Sequence, residues 1–227
     1  MSAGLRISII LPVLNEAAGL PALLAALAPL RADGAELIFV DGGSTDASRS
    51  LIAASGLTCL ASPRGRASQM NAGAAAATGD VLLFLHADTR LPADALATIR
   101  SAIVAGARWG RFDVRIEGRP LMLKVVARMM NLRSRITGIA TGDQAMFVTR
   151  AAFDAVGGFP VQPLMEDIEL SRRLLATSRP ACLRARVITS GRRWEQRGVW
   201  RTIVLMWQLR WAYWRGVPAA QLAERYR

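Results

Sequence analysis

Short apolar runs and longer Ala/Leu-rich stretches alternate along the first hundred residues. Ile7–Leu11, Glu36–Val40, Leu57–Leu60 and Val81–Leu85 read as strands. Continuous apolar runs of this length fit strands buried on both faces. Between them, Ala17–Leu30, Asp46–Ser55, Arg66–Thr78 and Pro92–Gly106 read as helices, with Ser44 or Thr45 as N-cap of the second and Gly79 closing the third. Strand–helix alternation at this spacing predicts a parallel, doubly wound sheet with right-handed crossovers. After Gly106 the rhythm changes. Trp109–Glu117 alternates as a strand, Ala145–Val148 and Ala181–Thr189 are further strands, and Arg150–Val156 and Ile168–Thr177 are helices. Leu121–Leu132 is nearly all apolar, with two cations.

Two of the buried runs end in acids. Val81–Leu85 gives way to His86-Ala-Asp88, and Leu37–Val40 to Asp41. In open α/β sheets the carboxyl ends of the strands are where ligands bind. Period two along a strand points His86 and Asp88 the same way. Mg²⁺ or Mn²⁺ bridging a diphosphate takes one or two protein carboxylates plus phosphate oxygens, and hard ions prefer oxygen. Asp88 therefore fits a metal role better than His86. The loop Pro12-Val-Leu-Asn15-Glu16 follows the first strand. A turn there exposes Asn15 and Glu16 at the sheet rim, although taken alone the segment reads first as a helix start with an acidic first turn. Asp41-Gly-Gly-Ser-Thr-Asp46 reads either as a tight turn with a cap or as a loop whose glycines admit a ligand and whose Asp41 accepts hydrogen bonds from a base or ribose. Arg64 and Arg66 open a helix whose dipole opposes them, and pairing with phosphate is one reason for their presence. Glu166 and Asp167 sit beside a helix start, behind the apolar lead-in Pro163-Leu-Met165. They serve as caps or, in a partly dry pocket, as a base for an attacking hydroxyl.

The order of these motifs resembles family 2 glycosyltransferases with the GT-A fold, over roughly residues 6 to 194. The matching pieces are Ile9-Ile-Leu-Pro-Val-Leu-Asn-Glu16, Val40-Asp-Gly-Gly-Ser-Thr-Asp46, Arg64-Gly-Arg66 with Asn71, His86-Ala-Asp88, and Gly158-Phe-Pro160 with Glu166-Asp167. The details look most like a small bacterial subgroup with His-Ala-Asp in place of Asp-x-Asp. The resemblance implies an α/β fold with a mostly parallel central sheet. It implies an inverting transferase that takes a UDP-, GDP- or dTDP-sugar and a divalent metal. On that basis Pro12, Asn15, Glu16 and Asp41 hold the nucleoside, and Arg66 and Asn71 approach the ribose or diphosphate. Asp88, with His86 beside it, holds Mg²⁺ or Mn²⁺. Asp167 is the general base, flanked by Glu166, and Asp143 and Gln144 face donor sugar or acceptor. Arg193 and Trp194 fall where relatives carry a Gln-x-x-Arg-Trp-like element. Here the glutamine is absent, with Thr189 or Ser190 near its place.

Composition adds a partner question. Lys+Arg number 29 against 17 Asp+Glu, a net +12, and Lys124 is the lone lysine. Four of the six tryptophans lie in the last 28 residues, among arginines. On a helix, positions 200, 203, 204, 207, 211 and 214 share one broad face. That face suits either a membrane headgroup region or packing against the catalytic domain or a second subunit. Residues 1–195 are therefore expected to form the catalytic domain and 196–227 an amphipathic helical extension. The protein is expected in the cytoplasm, peripheral on the inner membrane face, with a lipid-linked acceptor. No uncharged run reaches the roughly 18–20 apolar residues of a spanning helix. Cys59 and Cys182 have neither metal-type nor disulfide-framework spacing. Three rivals stand. A sugar-nucleotide nucleotidyltransferase is disfavoured by Pro12–Glu16 where a Gly-rich basic signature belongs. An inactive membrane scaffold is disfavoured by the retained Asp41, Asp88 and Asp167. Nucleic-acid binding is disfavoured by arginines scattered along the chain.

Overall fold

The computed structural model describes residues 4–226. Eight strands form one sheet in the order β3-β2-β1-β4-β7-β6-β8-β5. The strands β1 (Ile7–Val13), β2 (Glu36–Asp41), β3 (Thr58–Ala61) and β4 (Val81–Phe84) pair in parallel, as the alternating pattern predicts. Every residue of β1 and β4 is buried, which is what near-continuous apolar runs require. The helices α1 (Leu20–Ala32), α2 (Ser48–Ala54), α3 (Arg66–Ala76) and α4 (Ala95–Val104) follow β1 to β4 in the chain. The chain runs from β1 outward to β3, then returns to β4 on the other side of β1. That reversal is a topological switch point, and a crevice opens at the carboxyl ends of β1 and β4.

The second half departs from pure parallel winding. The strands β5 (Thr89–Arg90), β6 (Trp109–Glu117), β7 (Met146–Thr149) and β8 (Ala181–Ser190) complete the sheet. β7 lies antiparallel to both β4 and β6, while β6 and β8 are parallel. Phe84, the last residue of β4, faces Met146, the first of β7. The loop before β7 is thereby delivered to the same rim as the loop after β4. β5 pairs antiparallel with β8, Thr89 opposite Thr189, which brings the residues after β8 beside Asp88. The remaining helices are α5 (Met122–Thr137), a 3-10 turn at Gly142–Gln144, α6 (Arg150–Ala155), α7 (Glu166–Leu175), α8 (Arg192–Arg197), α9 (Val199–Trp214) and α10 (Ala219–Tyr226).

Two local expectations are corrected. Neither Ser44 nor Thr45 caps α2. Asp46 accepts from the Ser48 N–H (2.9 Å), while Ser44 Oγ accepts from the Asn15 N–H (2.9 Å). The polar loop residues are thus recruited across to the neighbouring loop. Gly79 does not close α3, which stops at Ala76 with extended Ala77 behind it. Gly79 is there for close packing, since a Cβ would strike Ser8 and the Arg6 carbonyl.

That corner holds a buried polar tether. Ser8 Oγ, fully buried, donates to Glu36 Oε2 and accepts from the Gly79 N–H (2.9 Å), and Glu36 also accepts from the Thr78 N–H (2.8 Å). Burial opposes ionisation of Glu36, but the Ser8, Thr78 and Gly79 bonds prevail and depress its pKa. A depressed carboxylate stabilises the fold above its unfolded value of 4.5, and the contribution is lost as pH falls through the folded value. Glu36→Gln is therefore expected to cost about 1–2 kcal/mol at pH 7. Thermal melts across pH should show the difference from wild type closing under acid. A difference that persists unchanged at low pH would assign the cost to shape rather than charge.

Candidate active site

The crevice is built from loops that the sheet delivers to one edge. The loops after β1 and β2 are laced together. Asn15, held at φ 56°, accepts from the Thr45 N–H through Oδ1 (2.8 Å), Glu16 N–H donates to Ser48 Oγ (2.9 Å), and Ala17 N–H donates to Asp46 (3.0 Å). Asp41 is buried at the end of β2 and accepts from the N–H groups of Gly43 (3.1 Å) and Ser44 (3.2 Å). Pro12 lies in β1 opposite Val40. Glu16, partly exposed, is raised in pKa by burial and by Asp88 and Asp46, against Arg192 and His86.

α3 lies directly on the sheet because Gly73 has no side chain to strike Ile10 and Val40. Gln69, buried on its inner face, donates to the carbonyls of Val13 (2.9 Å) and Val40 (2.8 Å), tying α3 to the ends of β1 and β2. This places Arg66, the first residue of α3, over the rim. Its Nε meets Glu166 Oε1 at 2.9 Å, with the guanidinium half exposed and the carboxylate buried. Burial disfavours the Arg66 charge, but Glu166, Asp167, Asp143 and Asp88 together hold it firmly cationic. The cation required at this helix start, against the dipole, is thus supported by acids from three other segments.

Glu166 and Asp167 open α7, two residues earlier than the periodicity predicts, because Met165 takes a left-handed turn at φ 64°. Glu166 is raised in pKa, first by burial and then by Asp167, against the pull of Arg66. Its Oε2 is buried and has no hydrogen-bond partner among the described residues. Asp167 accepts from the Gly142 N–H (2.8 Å) and from the Ile168 N–H (2.7 Å). Both acids line a small cavity with His86, Gly142, Phe84, Met146, Met70 and Phe159.

His86 donates through Nδ1 to Asp143 (3.3 Å), and its Nε2 edge lies against Gly142, where a Cβ would collide with the ring. Burial penalises the imidazolium, yet the Asp143 hydrogen bond and the charges of Asp143 and Asp88 raise its pKa. For half-exposed Asp143, burial opposes ionisation, but His86, Arg66 and Arg193 prevail and lower its pKa. Asp88 is exposed, two residues beyond His86, and among the described residues its side chain receives only the Thr89 hydroxyl (3.3 Å). Arg193, exposed, is lowered in pKa by desolvation and by Arg66 and Arg197, against Asp143 and Asp88, and it stacks on Tyr226 at 4.4 Å.

Three expected ligand contacts are directed elsewhere. Asn71 exchanges hydrogen bonds with the backbone of Phe159 (2.8 and 2.9 Å), which pins the Gly158–Pro160 loop. Gln144 is fully buried and turned inward, accepting from the Thr141 N–H (3.2 Å) and donating to Asn131 (3.4 Å). Trp194 packs on the core and lines a separate cleft with Arg119, Pro120, Glu195, Gly198 and Val199. Asn71 and Gln144 thus hold loops, and Trp194 is taken up by packing. Conversely, Gln69 escaped notice. Its signal was an amide on the apolar face of α3, three residues after Arg66.

Among the described residues, no group of three or more His, Cys, Asp or Glu is arranged to hold an ion by itself. A closed protein-only metal site does not fit. An open site does fit, with Asp88 supplying one accessible carboxylate and a diphosphate completing the shell. His86 fits less well as a ligand, because its Nδ1 is engaged by Asp143 and hard ions prefer oxygen.

Residues 8–153 match the family described as Glycosyl transferase family 2, and the chain belongs to that family. It is 34% identical over 106 residues to an uncharacterized glycosyltransferase of Mycobacterium tuberculosis, covering 46% of this chain and 47% of that one. It is 42% identical over 104 residues to a PGL/p-HBAD biosynthesis glycosyltransferase of the same species, covering 42% and 41%. The chain thus aligns with under half the length of these relatives. Its fold is that of Staphylococcus aureus TarS 1-349 in complex with UDP (TM-score 0.67, 20% identity, 82% of this chain and 60% of that one). The Pyrobaculum calidifontis mannosyltransferase in complex with GDP-Man and Mn²⁺ shares it (TM-score 0.63, 20% identity, 82% and 57%). So does M. tuberculosis glucosyl-3-phosphoglycerate synthase with Mn²⁺, UDP and glucosyl-3-phosphoglycerate (TM-score 0.59, 22% identity, 81% and 71%). The architecture is therefore the GT-A fold.

Proposed function

We propose that this chain is an inverting glycosyltransferase, moving a sugar from a nucleotide-diphosphate donor to an acceptor hydroxyl. The observation that carries the reading is the meeting of Arg66, Asp88, Asp143, Glu166, Asp167 and Arg193 at one rim, beside the switch point between β1 and β4. The loops ending in Asn15, Glu16 and Asp41 would receive the nucleoside. Arg66, whose guanidinium is half exposed, and Arg193 would meet the diphosphate, where charge grows as the sugar leaves. Asp88 would hold the divalent ion, which supplies electrophilic stabilisation of that leaving group. Asp167 would take the acceptor's proton as the hydroxyl attacks the face opposite the diphosphate. Asp143, half exposed and fixed by His86, would face the donor sugar or acceptor.

The test is a thermal-shift screen of UDP, GDP and dTDP with and without Mn²⁺, followed by hydrolysis assays with the matching sugar nucleotides. Saturation with a nucleotide at about 100 times its Kd adds roughly 2.7 kcal/mol of stability. No shift and no hydrolysis with any of them would remove the reading. Asp88→Ala is expected to weaken Mn²⁺-dependent nucleotide binding by about tenfold or more, read by calorimetry. Equal affinity with and without Mn²⁺ in both proteins would take the ion out of the mechanism.

A further inference from the structure

Among the described residues, the exposed large hydrophobics fall on two helices, apart from Val104 and Val161. One set runs along α5 as Leu121, Val125, Met129, Leu132 and Ile136, at helical spacing on its outer face. The other runs along α9 as Trp200, Val204, Trp207, Trp211 and Trp214, with the last two rings 5.2 Å apart. The opposite side of α9 is already satisfied. Leu209 is buried against Leu164 and Met165, with Leu205, Met206 and Tyr213 beside them. The tryptophan face is therefore unpartnered while the helix itself is fixed.

The two stripes begin at one place. The segment entering α5 and the start of α9 wall the same cleft of about 290 Å³, and Glu195 accepts from the Arg119 N–H (2.7 Å) across that junction. Leu121 and Trp200 stand one residue beyond Pro120 and Val199 on its rim. α8 separates this junction from the crevice, with Arg192 and Arg193 at one end and α9 at the other. Six helical residues span about 9 Å. The reacting rim and the apolar surface are thus close neighbours.

Charge decides the occupant. Neither α5 nor α9 contains an Asp or Glu, while Lys124, Arg128 and Arg201 stand exposed on them. A second copy of a +12 chain would bring like charges together with no acid on either helix to pair them. An anionic lipid surface neutralises those cations while its headgroup region accepts tryptophan and aliphatic side chains.

We infer that α5 and α9 form one docking surface for an anionic membrane, holding the crevice at headgroup depth. This deepens the proposed function and rests on it for the claim that the acceptor is met there. The experiment is flotation of the full chain with phosphatidylcholine vesicles containing about 30 mol% phosphatidylglycerol, alongside phosphatidylcholine alone. Each cation near the anionic surface strengthens binding roughly fivefold. Wild type should float with the anionic vesicles, and its tryptophan emission should shift to the blue. Raised salt should release it. The pairs Trp207→Ser/Trp211→Ser and Met129→Ser/Leu132→Ser should each weaken binding about tenfold or more. Wild type that stays soluble with both vesicle types overturns the surface, and needs no variant to fold. So does a dimer in sedimentation that either pair dissolves without any change in vesicle binding. Nucleotide thermal shifts on the same samples separate the two readings. Vesicle binding without a nucleotide response supports the surface and sinks the transferase, and the reverse sinks the surface alone.

Discussion

Asp167→Asn is expected to lower turnover about 10²–10⁴-fold while leaving donor affinity nearly unchanged. The carboxylate sits in the first turn of α7. Its two oxygens accept from Gly142 and Ile168. Each oxygen retains a lone pair, and in the proposed mechanism one of these receives the acceptor's proton. An amide of the same shape cannot take that proton. It also turns an NH₂ toward one backbone N–H, so a modest loss of stability, roughly 1 kcal/mol, should accompany the loss of rate. Steady-state kinetics beside calorimetry of the donor nucleotide separates the two effects. Turnover within a few-fold of wild type would remove Asp167 from the proton-transfer role.

Arg66→Ala should do double damage. It removes the half-exposed cation that the proposed mechanism turns on the diphosphate, and it takes from the buried Glu166 carboxylate its ion pair with Arg66 while Oε2 is already without a hydrogen-bond partner. Loss of one preorganised electrostatic contact costs roughly 10²–10³ in rate. An unsatisfied buried group costs about 1–3 kcal/mol. For a chain of this size that corresponds to a melting temperature lower by roughly 3–10 °C. The second effect is separable. Adding Glu166→Gln relieves the buried charge, so the double variant should regain much of the lost stability while staying slow. Full additivity of the two substitutions in thermal melts would show that the pair is not coupled. Retained turnover in Arg66→Ala would show that the guanidinium does not meet the leaving group.

Much of this protein was readable before any coordinates. The strands of the first half announced themselves because a strand buried on both faces must be apolar throughout. Ile7–Val13 and Val81–Phe84 are buried at every position. Carboxylates at the ends of such runs mark a rim, and Asp41 and Asp88 were legible for that reason. The exposed tryptophan face of α9 was legible from helical period. What only the tertiary structure decided is who touches whom. Asn71, Gln144 and Trp194 carry side chains suited to ligands, yet they bond Phe159 and Asn131 or pack on the core. Nothing local in the sequence distinguishes those uses. The pairing of Arg66 with Glu166, and of His86 with Asp143, joins residues far apart in sequence through the antiparallel return of β7 and the placement of α7. Periodicity reports which way a residue faces relative to its own element. The partner across the crevice depends on strand order and crossover, and that is settled only when the whole sheet has closed around the site.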